Sequence, residues 1–432
     1  MSFYSPHESP SDASSAVNFG STAADEISSD RQERAAWVAW SQVKGMGPVS
    51  LRRVQDAFGS MTAAWAAPAS ELGQVEGIGR KTLGAIATAR TQNPQRLLAK
   101  HEQENPQFWT PADPGYPALL REIPDPPAIL YYRGDPSLIP LDGTLPLISV
   151  VGTRNPSDYG TRWTQRIVDA LARRGLGIVS GLAEGIDTEA HQATLTANGK
   201  TMAVVGTGLN VVYPRKNGGL YRTLVGDRNT NQPALGLALS EYPAGTRPNA
   251  AHFPQRNRIV AALCRATLVM EGGYRSGALI TARAAAEYGR DVYVLPGSLD
   301  NPQAMGCLRL IDCGAQVILS IDDLLAKLSR TPELDKLPID LSASKIDTPK
   351  SIGKSSSKQP DPEVIKPEPE PEPIQVSDHL RPIYEAITAE PTLYDHIVEK
   401  SQIPPQKISA GLIELELLGA IVQLPGMMYR RI

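Results

Sequence analysis

The chain has 432 residues, more than one domain usually holds, so two or three domains are expected. Its apolar content of 41% suffices for a buried core, no run of about eighteen apolar residues offers a membrane-spanning helix, and the Ser-rich start lacks the pattern of a secretory signal. The net charge of −3 hides an uneven spread: Pro146 to Ser320 carry 18 Lys+Arg against 12 Asp+Glu, so the middle is basic and its flanks are acidic. That spread suits a polyanionic ligand on the middle region, or an ordinary solvated surface.

In chain order, residues 1–30 read as a disordered tail. Residues 31–105 read as short helices containing an internal echo. Val43-Lys44-Gly45-Met46-Gly47-Pro48-Val49-Ser50-Leu51 and Val75-Glu76-Gly77-Ile78-Gly79-Arg80-Lys81-Thr82-Leu83 share V-x-G-h-G-x-x-x-L, which resembles the helix-hairpin-helix (SAM-like) motif. In such a motif the glycines allow a tight turn and aim helix-start amides at a DNA phosphate. Packing alone would also explain the pattern, and both readings stand. A proline-rich connector, Asp113–Pro117 and Ile123–Pro127, leads into a short strand at Ala128–Gly134.

Residues 106–330 then alternate strands with helices. Apolar runs rich in Val and Ile occur at Ile148–Val151, Gly177–Ser180, Met202–Val205, Gly236–Ser240, Ala266–Met270, Val292–Leu295 and Gln316–Leu319. Helical stretches are expected at Thr161–Arg173, Ile186–Ala197, Asn257–Cys264 and Leu279–Tyr288. The pattern predicts an α/β, Rossmann-like, doubly wound and mostly parallel sheet. Cys264, Cys307 and Cys313 lack C-x-x-C spacing, which suits a reducing cytoplasm and argues against structural zinc. Residues 331–377 collapse to Ser, Lys, Pro and Glu and read as a disordered linker. Residues 378–432 offer helices at His379–Thr388, Leu393–Lys400 and Pro405–Leu418 and a terminal hairpin, a winged-helix pattern. Its last helix holds Glu414 and Glu416 beside one Lys407, which points to protein contact or regulation rather than DNA reading.

Candidate binding residues gather at the strand ends, where an open α/β sheet takes its ligands. Gly152, Thr153 and Arg154 follow the first parallel strand; the dinucleotide fingerprint G-x-G-x-x-G is absent, but a guanidinium there can clamp a phosphate. Ser180 and Gly181 end the second strand, and Asp187 is expected to cap the helix carrying His191, itself expected to be a packed histidine. Gly206 and Gly208 end the third strand, before Tyr213, Arg215 and Lys216. Phe253, Arg256 and Arg258 open a later helix. Aromatic rings beside cations suit a nucleic-acid strand, which needs stacking and charge together. Arg256 and Arg258, two positions apart on a helix, diverge, so one serves a ligand while the other packs inward. Arg275 and Ser276 complete the set as a further anion nest.

Together the motifs G-T-R, S-G-L-A-x-G-I-D-x-x-A-H, G-K-T-x-A-V-x-G-T-G, S-E-Y, F-P-x-R-N-R-I, R-S-G-A-L-I-T and D-V-Y-V-L-P-G closely resemble the DprA/Smf family of DNA-processing proteins, in order over roughly residues 110–320. The resemblance implies a non-enzymatic protein without a cofactor. It would bind single-stranded DNA, protect it and load RecA recombinase on it during natural transformation, as a homodimer in the cytoplasm. By motif, Arg154 and Lys200 match positions implicated in holding DNA. One departure is Leu308, where the family usually has Asn. The rival is a nucleotide-binding protein or a hydrolase of nucleotide N-glycosidic bonds. Related Rossmann-like enzymes of that kind carry P-G-G-x-G-T-x-x-E; here Glu271-Gly272-Gly273-Tyr274-Arg275-Ser276-Gly277-Ala278-Leu279 lacks the final glutamate.

Overall fold

Helical structure begins earlier than composition suggested. The computed structural model describes residues 23–227, 230–330, 377, 379–390, 392–401, 403, 405–418, 420–424 and 428–431. Helix α1 (Ala23–Ser41) takes in residues 23–30, expected to be tail; its apolar second half, Ala35 to Trp40, is buried. Residues 1–22 and 331–376, the rest of the expected tail and nearly all of the expected linker, lie outside the described residues.

The sequence echo is an echo in backbone too. Gly45 and Gly77 have φ of +88° and +87°, a conformation glycine adopts without strain. Gly47 and Gly79 precede α2 (Pro48–Phe58) and, beyond α3 (Met61–Ala66) and α4 (Ala69–Leu72), α5 (Arg80–Ala89). Met46, Ile78 and Leu51 turn into a core built around Trp37 and Trp40. The hairpins differ in their cations: Arg52 donates to the Arg121 carbonyl and Arg53 pairs with Glu76, whereas Arg80 and Lys81 are exposed. Helix α6 (Pro94–Glu104) closes this region.

Two strands flank the proline-rich connector. β1 (Phe108–Trp109) pairs with β2 (Leu130–Gly134), and β2 pairs antiparallel with β6 at the edge of the main sheet. The core then runs β3 (Leu147–Val151), α7 (Asp158–Arg173), β4 (Gly177–Ser180), α8 (Ile186–Thr196), β5 (Thr201–Val205), α9 (Gly218–Val225), β6 (Gly236–Ser240), α10 (His252–Ala262), β7 (Ala266–Val269), α11 (Gly277–Glu287), β8 (Asp291–Val294), α12 (Met305–Asp312), β9 (Gln316–Val317) and α13 (Ile321–Leu328). All seven expected strands are present, and β3 to β9 pair in parallel. Helices α9, α12 and α13 were not expected. The sheet order is β1-β2-β6-β5-β4-β3-β7-β8-β9, a doubly wound arrangement. Alternate side chains serve opposite faces: Ile148 and Val150 pack with α7, α8 and α13, while Leu147 and Val151 pack with α10 and α11.

The C-terminal residues form a separate unit. It comprises α14 (Arg381–Ala386), β10 (Thr392–Leu393), α15 (Tyr394–Ser401), α16 (Pro405–Leu417), β11 (Ile421–Leu424) and β12 (Met428–Arg431). β10 joins the expected hairpin to give a three-stranded antiparallel sheet, the winged-helix arrangement. Ile408, Leu412 and Leu415 of α16 fill its core; Glu414 faces outward, 3.3 Å from His379.

Candidate functional site

Strand order reverses between β3 and β7, and beside that reversal the segments that follow β3, β4, β5 and β6 frame a crevice beyond the strand ends. At its edge the Thr153 backbone N–H donates to the Glu271 carbonyl at 2.7 Å. Gly152 admits no side chain, since a Cβ would lie 2.5 Å from Ile186 Cγ1 and 2.8 Å from that carbonyl oxygen. The buried Glu271 carboxylate accepts hydrogen bonds from the Ser157 N–H, the Ser157 hydroxyl and the Asn301 side-chain amide, each at 2.8 Å. Thr153 Oγ1 lies 3.1 Å from Gln303 Oε1, to which it donates. These bonds fix the 152–157 loop, and Arg154 stands out from it into solvent.

The Arg154 guanidinium lies over the Phe253 ring, 5.6 Å from its centroid, and Phe253 lies 5.4 Å from the ring of Tyr213. Tyr213 is 39% exposed, so a ring face remains open to a ligand. With Gly181, Ala183, Glu184, Pro214 and Arg256, these residues line a pocket of about 150 Å³.

A second cation forms the pocket floor. Arg256 is 5% exposed. It donates to the carbonyls of Gly181 and Val204 and to Asn257 Oδ1. Burial lowers its guanidinium to about 10, with Asp187 acting against that fall, so it stays charged at neutral pH. Asp187 accepts from the N–H groups of Gly181 at 3.1 Å and Ala183 at 3.3 Å. Burial raises its carboxyl, and the charge of Arg256 opposes the rise. Asp187 is therefore not the helix cap expected from sequence. Gly185, at φ +78°, occupies the cap position of α8, and the carboxylate turns back to hold the loop after β4. His191 is a packed histidine, fully buried with Nδ1 2.7 Å from Thr201 Oγ1. The arrangement can stack a planar ring on Tyr213 and Phe253 and hold an anion against Arg154, above a floor that is itself cationic.

Residues 107–329 match the family model described as DNA recombination-mediator protein A, and residues 367–427 match the DprA winged helix domain. Protein Smf of Synechocystis is 46% identical over 413 residues, 92% of this chain and 99% of that protein. The chain belongs to the DprA/Smf family. DNA processing protein DprA of Streptococcus pneumoniae is 44% identical over 230 residues, 53% of this chain and 77% of the relative. An X-ray structure of DprA from that organism superposes with a TM-score of 0.57 at 35% identity, covering 68% of this chain and 97% of the other.

Within this DprA/Smf core, Arg154, Gly181, Tyr213, Phe253 and Arg256 meet in one pocket. Gly206 sits beneath Phe253, where a Cβ would approach its ring to 3.2 Å, and Gly208 is buried under the carbonyl of Pro243. Arg215 and Lys216 follow Pro214 on an exposed turn, with Lys216 3.4 Å from Glu184. Arg275 and Ser276 lie on the loop between β7 and α11, outside the pocket lining.

Two expectations are corrected, for Ser180 and Thr153, and two further candidates, Arg258 and Lys200, stand apart from the pocket. Ser180 is fully buried and its hydroxyl donates to the Val150 carbonyl at 2.7 Å, tying two strands together rather than meeting a ligand. Thr153 is likewise buried and spent on the loop. Arg258 turns inward, donating to the Asp125 carbonyl at 2.7 Å and pairing with the carboxylates of Asp125 and Glu241. Burial works against its charge, but Glu241 and Asp125 outweigh it and raise its pKa. Lys200 is exposed just before β5, at the opposite end of the strands from Arg154. Sequence reasoning also overlooked Glu271 as an organiser, with its partners Asn301 and Gln303. The signal was available: a carboxylate closing an apolar strand, directly before two glycines.

Proposed function

We propose that this DNA-processing family member holds single-stranded DNA without catalysis, in the crevice at the C-terminal ends of β3 to β6. The observation that carries the reading is the group formed by exposed Arg154, Phe253 and open Tyr213 above buried Arg256. Guanidinium groups bind phosphate whatever the sequence, while an open aromatic face stacks only on a base that is free of a duplex. The family's name, DNA recombination-mediator protein A, supports a role in handling DNA for recombination. With the family resemblance come the finer parts of the proposal. The protein protects incoming strands during natural transformation, loads RecA recombinase on them, and acts as a homodimer in the cytoplasm. For the winged-helix unit we propose contact with protein, in keeping with the outward Glu414 on α16.

The rival hydrolase needs a glutamate at position 279, where this chain has Leu279, 6% exposed in the first turn of α11. A gel-shift titration with single-stranded and blunt duplex DNA at matched salt tests the reading. The expected result is preference for the single strand and a steep loss of affinity with salt, roughly 0.7 log units per phosphate contact per decade. Equal affinity for the two forms, or release of free base from nucleotides, would overturn it.

A further inference from the structure

We infer that the outer face of α7 continues the single-strand path away from the pocket. This inference rests on the reading of the pocket given above. Helix α7 begins four residues after Arg154, capped by Ser157, whose hydroxyl accepts from the Gly160 N–H at 3.2 Å. Gly160, Thr164, Ile167, Val168 and Leu171 turn to the protein interior. Tyr159, Arg162, Trp163 and Arg166 recur at i, i+3, i+4 and i+7 and so share one outer stripe.

The stripe alternates rings with cations. Tyr159 is 37% exposed, held by its hydroxyl on the Pro296 carbonyl at 3.0 Å. Its ring centroid is 6.3 Å from that of Trp163, and the Arg166 guanidinium lies over Trp163 at 4.7 Å. Trp163 is half-buried, one edge packed on the core beneath α7. Arg162 and Arg166 are exposed and have no carboxylate partner among the described residues. Asp158 precedes the stripe; Asp169 beyond it is bound to Arg173 at 2.9 Å, so its charge is spent.

Two unspent guanidinium groups beside two aromatic rings complement a polyanion that carries stackable rings, the chemistry of a nucleic-acid strand. From Tyr159 to Arg166 the helix rises roughly 10 Å, and the two arginines stand one turn or about 6 Å apart, in reach of neighbouring phosphates. The loop carrying Arg154 runs directly into α7, so the stripe begins five residues along the chain from Arg154 and lies in reach of a ligand anchored there that is too long for the pocket. Packing explains the inner edge of Trp163. It does not explain two cations left without a carboxylate around its outer face.

The test compares the full chain with Arg162→Gln/Arg166→Gln, using labelled oligo(dT) of about six and about thirty nucleotides. The expected result is a loss of about tenfold for the long oligomer, less than about twofold for the short one, and a salt slope shallower by about 1.4 for the long one. Trp163→Phe should keep long-strand affinity while Trp163→Ala loses it; the arginine pair, lying on the surface, keeps the test valid if Trp163→Ala unfolds. Unchanged long-strand affinity and slope in the arginine variant, with wild type binding both lengths, would overturn the stripe and leave the pocket reading intact. A wild type that binds neither length overturns both. A changed sedimentation coefficient with unchanged DNA binding overturns the inference in favour of contact between copies of the chain.

Discussion

Ser157 and Glu271 are joined twice, through the Ser157 N–H and the Ser157 hydroxyl, both ending on the Glu271 carboxylate at 2.8 Å. The start of α7 is thereby locked to the end of β7, and Gly160 must lack a side chain because a Cβ would fall 2.1 Å from Glu271 Oε2. Glu271→Ala strands the Ser157 N–H and the Asn301 amide and should cost about 3 kcal/mol. It should also weaken DNA binding by loosening the loop that carries Arg154. Thermal unfolding and strand affinity of the same sample check both halves. Glu271→Gln should not rescue, because its amide nitrogen would face donors.

Arg154→Ala should weaken single-strand binding by about tenfold for every base composition, as phosphate contacts position without reading. Lys200→Ala should change affinity less than about twofold, because its side chain starts at the far end of β5. Parallel titrations of the two variants decide whether the strand-end crevice or the opposite edge holds the ligand.

Tyr213→Ala should lose about 1–3 kcal/mol of affinity for single strands, with Tyr213→Phe close to wild type. The hydroxyl has no role in that expectation; the ring face does. Removing the ring should leave stability nearly unchanged, since Tyr213 is already 39% exposed. Anisotropy titrations and a melting curve read the two effects separately.

His191 makes stability depend on pH in a definite direction. Burial, and then the charge of Arg256, push its imidazole from the usual 6.5 down to about 3. Below 6.5 the unfolded chain takes up a proton that the folded chain refuses until about 3, so stability present above 6.5 is lost as pH falls through that window. The slope for one such group is about 1.4 kcal/mol per pH unit. His191→Gln should flatten the fall in melting temperature between about pH 6.5 and pH 4. An equally steep fall in the variant would show that other groups govern it.

Much of the fold was legible because buried parallel strands write themselves as Val and Ile runs, and all seven fell where expected. Helices α9, α12 and α13 were not: each is only eight residues long, little more than two turns. The aromatic and arginine members of the pocket were legible from residue type. What residue type cannot show is direction. Arg256 and Arg258 look alike in sequence, yet one turns to the carbonyls of Gly181 and Val204 and the other to Asp125 and Glu241. Asp187 looked like a cap because it opens a helix, but Gly185 at positive φ bends the chain so that its carboxylate meets the preceding loop.

The pairing of β1 and β2 across the connector decides how the molecule comes apart. Arg34 of α1 bonds Asp113 at 2.8 Å, the Asn105 side chain accepts from the Ala244 N–H at 2.9 Å, and Ala35, Val38 and Leu98 share a core with Phe108 and Tyr131. The proline-rich segment reads as a hinge, but cutting there would strip β1 from β2 and bare a sheet edge prone to pairing with other chains. Helical region and sheet should therefore melt together, as one cooperative block, and amides of α1 should exchange with solvent on the timescale of those of β6 rather than sooner.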